Sequence, residues 1–314
     1  MINIITKENG KIVVEPDVKV LPDSLNNLLW IDLLSPSKEE KALIEKVMEI
    51  ELFTRQESKE IESSSRYLEN EEEVGINLNF LKRNIEGGFA NEPVSFILKN
   101  NILITQRSGE YNTFTDTLKK INIFKPKTGA NIMLTLFETR IDFDADLIEN
   151  ITDHITGISR DLVKDKDLER DLLIRITSLQ ETTIAIRENI VEKQRILSSI
   201  LKSRFFPKDD YETIRVMIKD VGSLLDHTAF SFERLEFLQN TFLGLVDMEQ
   251  NRIIKIFTVV TVVFMPPTLI ASMYGMNFVF MPELDEVWGY PFAILLMILS
   301  SAATLLFFRR KKWL

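Results

Sequence analysis

From Met1 to about Phe124 short β-branched or aromatic runs alternate with short helical stretches. The runs LLWIDLL, VGINLNFL, PVSFILKN and NILITQR are separated by turn chemistry such as EGG and KNN, and the opening residues MINIITKENGKIVV alternate polar and apolar like a strand. A compact mixed α/β domain is therefore predicted over residues 1–128. After Lys125, Pro126, Lys127, Thr128 and Gly129 the period changes: Ile132, Leu136, Ile141, Leu147, Ile151, Ile155 and Ile158 recur at three and four, which predicts helices over 129–250. A second helical run covers roughly 168–205, and the turn Phe206, Pro207, Lys208, Asp209, Asp210 precedes a third near Tyr211. Between Tyr211 and Tyr274 the only proline signal is Pro266-Pro267, so one helix is expected to run from the soluble part into the apolar part. Such a length exceeds what a globular domain needs and suggests a stalk packed against copies of itself.

Two segments near the C-terminal end have the length and apolarity of membrane spans. The first, about 253–274, would reach about 33 Å as a helix, against a hydrocarbon core of about 30 Å. Its one charge, Lys255, lies near the start, where it can snorkel. The second, about 291–308, carries no charge and is led in by Trp288 and Tyr290, which suit the interface. Arg252 and Lys255 flank the first span, Arg309, Arg310, Lys311 and Lys312 follow the second, and the loop 275–290 has no basic residue. Basic flanks stay in the cytosol, so both termini are expected there, with a membrane domain over 251–314. The loop carries Glu283, Asp285 and Glu286, which in an oligomer would concentrate cations at a pore mouth; a plain acidic hairpin is the alternative.

Within the first span Asn251, Thr258, Thr261, Thr268 and Ser272, joined by Ile254 and Met265, recur at three and four and share one stripe. Val259, Val262, Val263, Leu269 and Ile270 lie elsewhere. Neutral hydroxyls with apolar interruptions suit a pore wall, and small hydroxyl residues also pack membrane helices together. Two helices cannot enclose a hydrated path, so a pore requires several copies around an axis. The second span, apolar apart from Ser300, Ser301 and Thr304, is expected to face lipid. Pro266-Pro267 removes two N–H donors and frees the carbonyls of Val262 and Val263, which can kink the helix at mid-membrane.

Composition narrows the chemistry. The 314 residues hold 38 basic and 47 acidic side chains, a net charge of −9, which argues against nucleic-acid binding. The first residues lack the pattern of a signal peptide. No cysteine is present, so disulfides and thiolate zinc sites are excluded, and the two histidines, His154 and His227, stand apart without a second ligand at zinc spacing. That inventory also leaves no recognisable catalytic set, so no enzyme activity and no cofactor are expected. Acids crowd the middle: Asp142, Asp144, Asp146, Glu149, Asp153, Asp161, Asp165, Asp167, Glu169 and Asp171. They read as solvated helix faces, or alternatively as a divalent-cation sensing surface between subunits.

The residues YGMN at 274–277, MPEL at 281–284 and the closing RRKKWL complete a signature. With EQNRIIKIF, PPTLIAS and GYP they make the stretch from Glu249 to Leu314 resemble the CorA family of magnesium transport proteins, of the two-span GxN type and most like its enterobacterial branch. The resemblance is detailed over about the last 65 residues and elsewhere rests on the order of the parts. It implies a funnel-shaped homo-oligomer, a pentamer in the inner membrane, with Gly275, Met276 and Asn277 as the selectivity filter. It places Thr268, Met265, Thr261, Phe257, Ile254 and Asn251 along the path, Ile254 and Phe257 being the apolar constriction. Magnesium dehydrates reluctantly, so a ring of Asn277 carboxamides could hold its outer waters without stripping them. Gly275 is expected to take a positive φ where the helix ends.

Influx of magnesium, and of cobalt and nickel as ions of similar hydrated size, would need no coupling: a divalent ion gains roughly 4.6 kcal/mol per 100 mV. Neither span carries an Asp, Glu or His for a proton relay, and no P-loop pattern occurs. In some relatives an aspartate stands near the cytosolic entrance where Asn240 stands here; the nearest acids, Glu233, Glu236, Asp247 and Glu249, are candidate regulatory magnesium ligands. The rival readings are a zinc transporter of the related branch and a membrane-anchored helical scaffold or sensor.

Overall fold

A computed structural model of the chain describes residues 1–8, 11–18, 27–54, 56–59, 66–83, 89–164, 170–279 and 281–311. Asp165, Asp167 and Glu169 of the acidic stretch and the end of the basic tail lie outside these residues. The chain divides into two compact units, Met1–Gln239 and Asn240–Leu314.

The first unit is built on one seven-stranded sheet. The strands are β1 (Ile2–Glu8), β2 (Lys11–Glu15), β3 (Leu28–Leu34), β4 (Tyr67–Glu69), β5 (Glu73–Arg83), β6 (Phe89–Lys99) and β7 (Ile102–Arg107), in the order β2-β1-β3-β7-β6-β5-β4. Among the described residues only β3 and β7 pair in parallel, with Trp30 opposite Leu103 and Asp32 opposite Thr105. A parallel pair requires a crossover, and the long excursion between them contains helix α1 (Lys38–Met48) and the hairpins of β4 to β6. Helix α1 starts at a reciprocal cap: the Glu40 N–H donates to Ser37 Oγ and the Ser37 N–H to the Glu40 carboxylate.

Central strand β3 is buried on both faces, so its run LLWIDLL is apolar without alternation. Ile31 and Leu33 pack with Ile44 and Met48 of α1. Trp30 points the other way, 5.8 Å from Phe114 of α2 (Asn112–Phe124), as successive residues of a strand must. Helices α3 (Gly129–Lys164) and α4 (Arg170–Ile200) pack against β3, β5, β6 and β7. Ile132, Leu136, Ile141, Ile151, Ile155 and Ile158 form the buried face of α3, as the spacing predicts.

Two buried charge groups punctuate this core. Asp32 takes the Arg107 guanidinium at 2.8 Å and the Thr105 hydroxyl at 2.8 Å, while Trp30 Nε1 donates to Thr105. Deeper still, Asp144 on α3 lies between Arg140 at 3.1 Å and Lys193 of α4 at 2.8 Å, all three at most 3% exposed. Asp144 therefore does not belong to a solvated face; its helical phase turns it toward α4. Arg140 also stacks 4.6 Å over the Phe80 and Phe143 rings, and Lys193 donates to Asn189. The remaining acids divide: Asp142 and Asp161 pair with Lys120 and Arg175 at the surface, and Asp146, Glu149, Asp153 and Asp171 are exposed.

Burial holds the Lys193 amine down at about 8, from an ordinary 10.5, with Asp144 opposing the shift. The unfolded chain binds the extra proton between those values, so stability rises as pH climbs from about 8 to 10.5 and the gain disappears as pH returns to about 8. Denaturant unfolding of the full-length protein in detergent, followed by the fluorescence of Trp30 with Trp288 and Trp313 replaced by Phe, should show that rise, and Lys193→Met should flatten it. Asp144→Ala should destabilise the unit by about 3–5 kcal/mol, because it strands two buried cations.

Candidate functional site

The second unit holds the C-terminal part of α5 (Tyr211–Tyr274) and helix α6 (Gly289–Arg310), both long and apolar enough to cross a bilayer. Helix α5 is unbroken through Pro266 and Pro267. It packs on α6 through Val259 and Val263, which with Phe308 form a small buried cluster flanked by Val262. Pro266, Pro267 and Ile270 are half-buried along the same side, and Leu269 is exposed.

At 100° per residue Ile254, Thr261, Met265, Thr268 and Ser272 lie roughly 140–180° around α5 from the centre of Val259 and Val263, and Asn251 about 100°. All six, and Phe257 and Thr258 beside them, are exposed in the single chain. The hydroxyls of Thr258, Thr261 and Thr268 donate to the carbonyls of Ile254, Phe257 and Phe264 at 2.8, 2.9 and 2.8 Å. Each hydroxyl thus spends its proton on its own helix and turns only acceptor lone pairs outward. Such a surface is suited to the donor hydrogens of a water shell around a cation.

The three aliphatic hydroxyls of α6 are not all turned to lipid. Ser300 and Thr304 bond back to Met297 and Ser300 at 2.8 and 2.9 Å, but Ser301 Oγ lies 3.5 Å from the carbonyl oxygen of Val263 on α5. The lipid-facing expectation fails at Ser301 because its phase on α6 turns it toward the Val263 carbonyl of α5.

Helix α5 ends at Tyr274, and the Gly275 N–H still bonds to Ala271 and Ser272 at 2.9 and 3.2 Å. Its backbone lies outside the left-handed region, so the expected positive φ is not what glycine provides. A Cβ there would stand 3.2 Å from the Ala271 carbonyl oxygen, a tight approach beside the last turn. Met276 and Asn277 follow, exposed, and Asn277 makes no hydrogen bond among the described residues. Glu283, Asp285 and Glu286 are exposed in the loop beyond. That loop closes on Gly289, where a Cβ would fall 2.0 Å from the Glu283 carbonyl oxygen, so no larger residue fits without moving the backbone.

The candidate regulatory acids are not gathered within one chain. Glu233 and Glu236 are exposed on the part of α5 in the first unit; in the second, Asp247 is exposed and Glu249 pairs with Arg252 at 3.6 Å. Among the described residues no group of three or more acids or histidines could hold a metal ion. Neither Gly289 nor Ser301 is singled out by periodicity; GYP quotes the glycine without its close contact, and Ser301 stands out only once the two helices are in register.

A sheet-and-helix body joined to two bilayer-length helices, with an acceptor-lined stripe on the first, defines an integral membrane protein of the transporter class. A family model described as CorA-like Mg2+ transporter protein matches residues 26–310. The chain is 38% identical to the magnesium transport protein CorA of Wolinella succinogenes, over the full length of both. It is 36% identical to that of Salmonella typhimurium strain LT2, over 93% of each. The solved structure of the CorA magnesium transporter from Methanocaldococcus jannaschii shares the fold, with a TM-score of 0.83 at 21% identity over 100% of this chain and 99% of that one. The chain belongs to the CorA family.

Gly289→Ala should displace the Glu283 backbone and cost about 1–3 kcal/mol in the membrane unit. A lowered thermal midpoint of the full-length protein in detergent, with Lys193-dependent unfolding unchanged, would show it.

Proposed function

We propose that this chain is one subunit of a homopentamer that conducts magnesium into the cell across the inner membrane, with both termini in the cytosol. The α5 helices surround the axis. Asn277 carboxamides, beside Gly275 and Met276, receive the hydrated ion at the outer mouth, where Glu283, Asp285 and Glu286 raise the local cation concentration. The ion then passes Ser272, Thr268, Met265, Thr261 and Asn251, with Ile254 and Phe257 forming the dry constriction.

The observation that carries this reading is the hydroxyl stripe on the side of α5 opposite α6, with its lone pairs turned outward. A face of acceptors would be costly against lipid and is useful against a water shell. The names of the relatives from Wolinella succinogenes and Salmonella typhimurium, magnesium transport proteins both, support the choice of ion. Cobalt and nickel, similar in hydrated size, pass by the same outer-sphere contacts. Transport is passive and follows the membrane potential, and cytosolic magnesium bound near Glu233, Glu236, Asp247 and Glu249 between subunits holds the pore shut.

Purified protein in liposomes with an imposed potential tests this. Inside-negative voltage should accelerate magnesium entry without ATP or a proton gradient; entry indifferent to voltage would contradict the passive mechanism. Asn277→Ala should lower the initial rate at least about tenfold, the equivalent of about 1.4 kcal/mol at the barrier, while the oligomer stays assembled. Unchanged flux in Asn277→Ala would remove the filter assignment. Neutralising Glu233, Glu236, Asp247 and Glu249 together should shift magnesium-dependent closure to higher concentration.

A further inference from the structure

Pro267 has no N–H, so the Val263 carbonyl four residues earlier loses its helical donor. In the apolar part of a membrane an unanswered carbonyl costs several kcal/mol, and a neighbouring helix's hydroxyl is one of the few groups that can answer it. Ser301 stands in that place, half-buried, with Oγ 3.5 Å from the Val263 oxygen. Among the described residues it is the one serine or threonine of α6 directed at α5, since Ser300 and Thr304 donate to their own helix. Val263 itself belongs to the small buried cluster with Val259 and Phe308.

On the far side of α5 from this contact lie Met265 and Thr268, both exposed. A change of bend at Pro266-Pro267 therefore moves these two side chains. We propose that Ser301 is a positioning residue: its hydroxyl replaces the donor missing at Pro267, fixes the bend of α5, and so sets how far Met265 and Thr268 project into the path. The last clause rests on the proposed conduction pathway; the contact between Ser301 and the Val263 carbonyl does not.

The test is a double-mutant cycle in the full-length protein, because Pro267→Ala restores an N–H to the Val263 carbonyl and should make Ser301 dispensable. Two readouts are taken: magnesium flux per assembled oligomer in liposomes, and amide hydrogen exchange of residues 268–271 in detergent. Ser301→Ala should change flux about threefold, the scale of an interhelical hydrogen bond in a membrane, and speed the exchange. Ser301→Thr, which keeps the hydroxyl, should restore both, and Ser301→Ala should have no further effect on a Pro267→Ala background. Should Ser301→Ala fail to assemble, Pro267→Ala must rescue assembly.

Equal effects of Ser301→Ala in both backgrounds, unchanged exchange, or failed rescue would overturn the proposal, since Ser301 would then be a packing contact. Altered exchange with unaltered flux would overturn its role in conduction. If the unaltered protein carries no magnesium while the exchange pattern holds, the conduction pathway fails and the tie between Ser301 and Val263 stands.

Discussion

A bilayer offers no partner to a polar group, and that constraint organises the membrane unit. Every hydroxyl and carbonyl in α5 and α6 must be answered by its own helix, by the other helix, or by water and further subunits. The threonines of α5 answer the first demand with their protons and leave their lone pairs exposed. Ser301 answers the second at the Val263 carbonyl, four residues before Pro267. What remains is a stripe of outward-turned acceptors on a helix whose other side packs valines and Phe308, the face that the proposed assembly turns toward water.

The first unit obeys a related rule in a drier place. Charges enter its core only where partners of opposite sign are supplied, as Arg107 is for Asp32 and as Arg140 and Lys193 are for Asp144. The Asp32 group is richly hydrogen-bonded, whereas the Asp144 carboxylate is held by charge without well-aligned hydrogen bonds. Asp144 and Lys193 tie α3 to α4, so the helices next to the sheet keep one register. A buried arrangement of this kind selects a geometry more than it adds stability.

Much of this architecture was legible in the chain. Strand periodicity located β1, β3, β5, β6 and β7, and the three-and-four spacing of isoleucines located the buried face of α3. Length and apolarity located α6 and the apolar part of α5, and the helical phase of Thr261, Thr268 and Ser272 located the stripe. What escaped depends on distances between segments. Asp144 looked like one acid among many because its partner Lys193 sits on another helix. Ser301 looked lipid-facing because the register of α6 against α5 is not written in either helix alone. Gly275 was expected to turn with positive φ, but its N–H still bonds back to the last turn of α5 and its backbone stays outside the left-handed region, and the close approach that demands glycine is at Gly289.

The central claim is that the side of α5 facing away from α6 borders water. The chain has no cysteine, so single cysteines placed along α5 in assembled protein report contact with water through their reaction with silver ion. Reactivity should follow the helical period, high at Thr261, Met265, Thr268 and Ser272 and low at Val259, Val263 and Ile270. High reactivity at the valines, or none along the stripe, would contradict it.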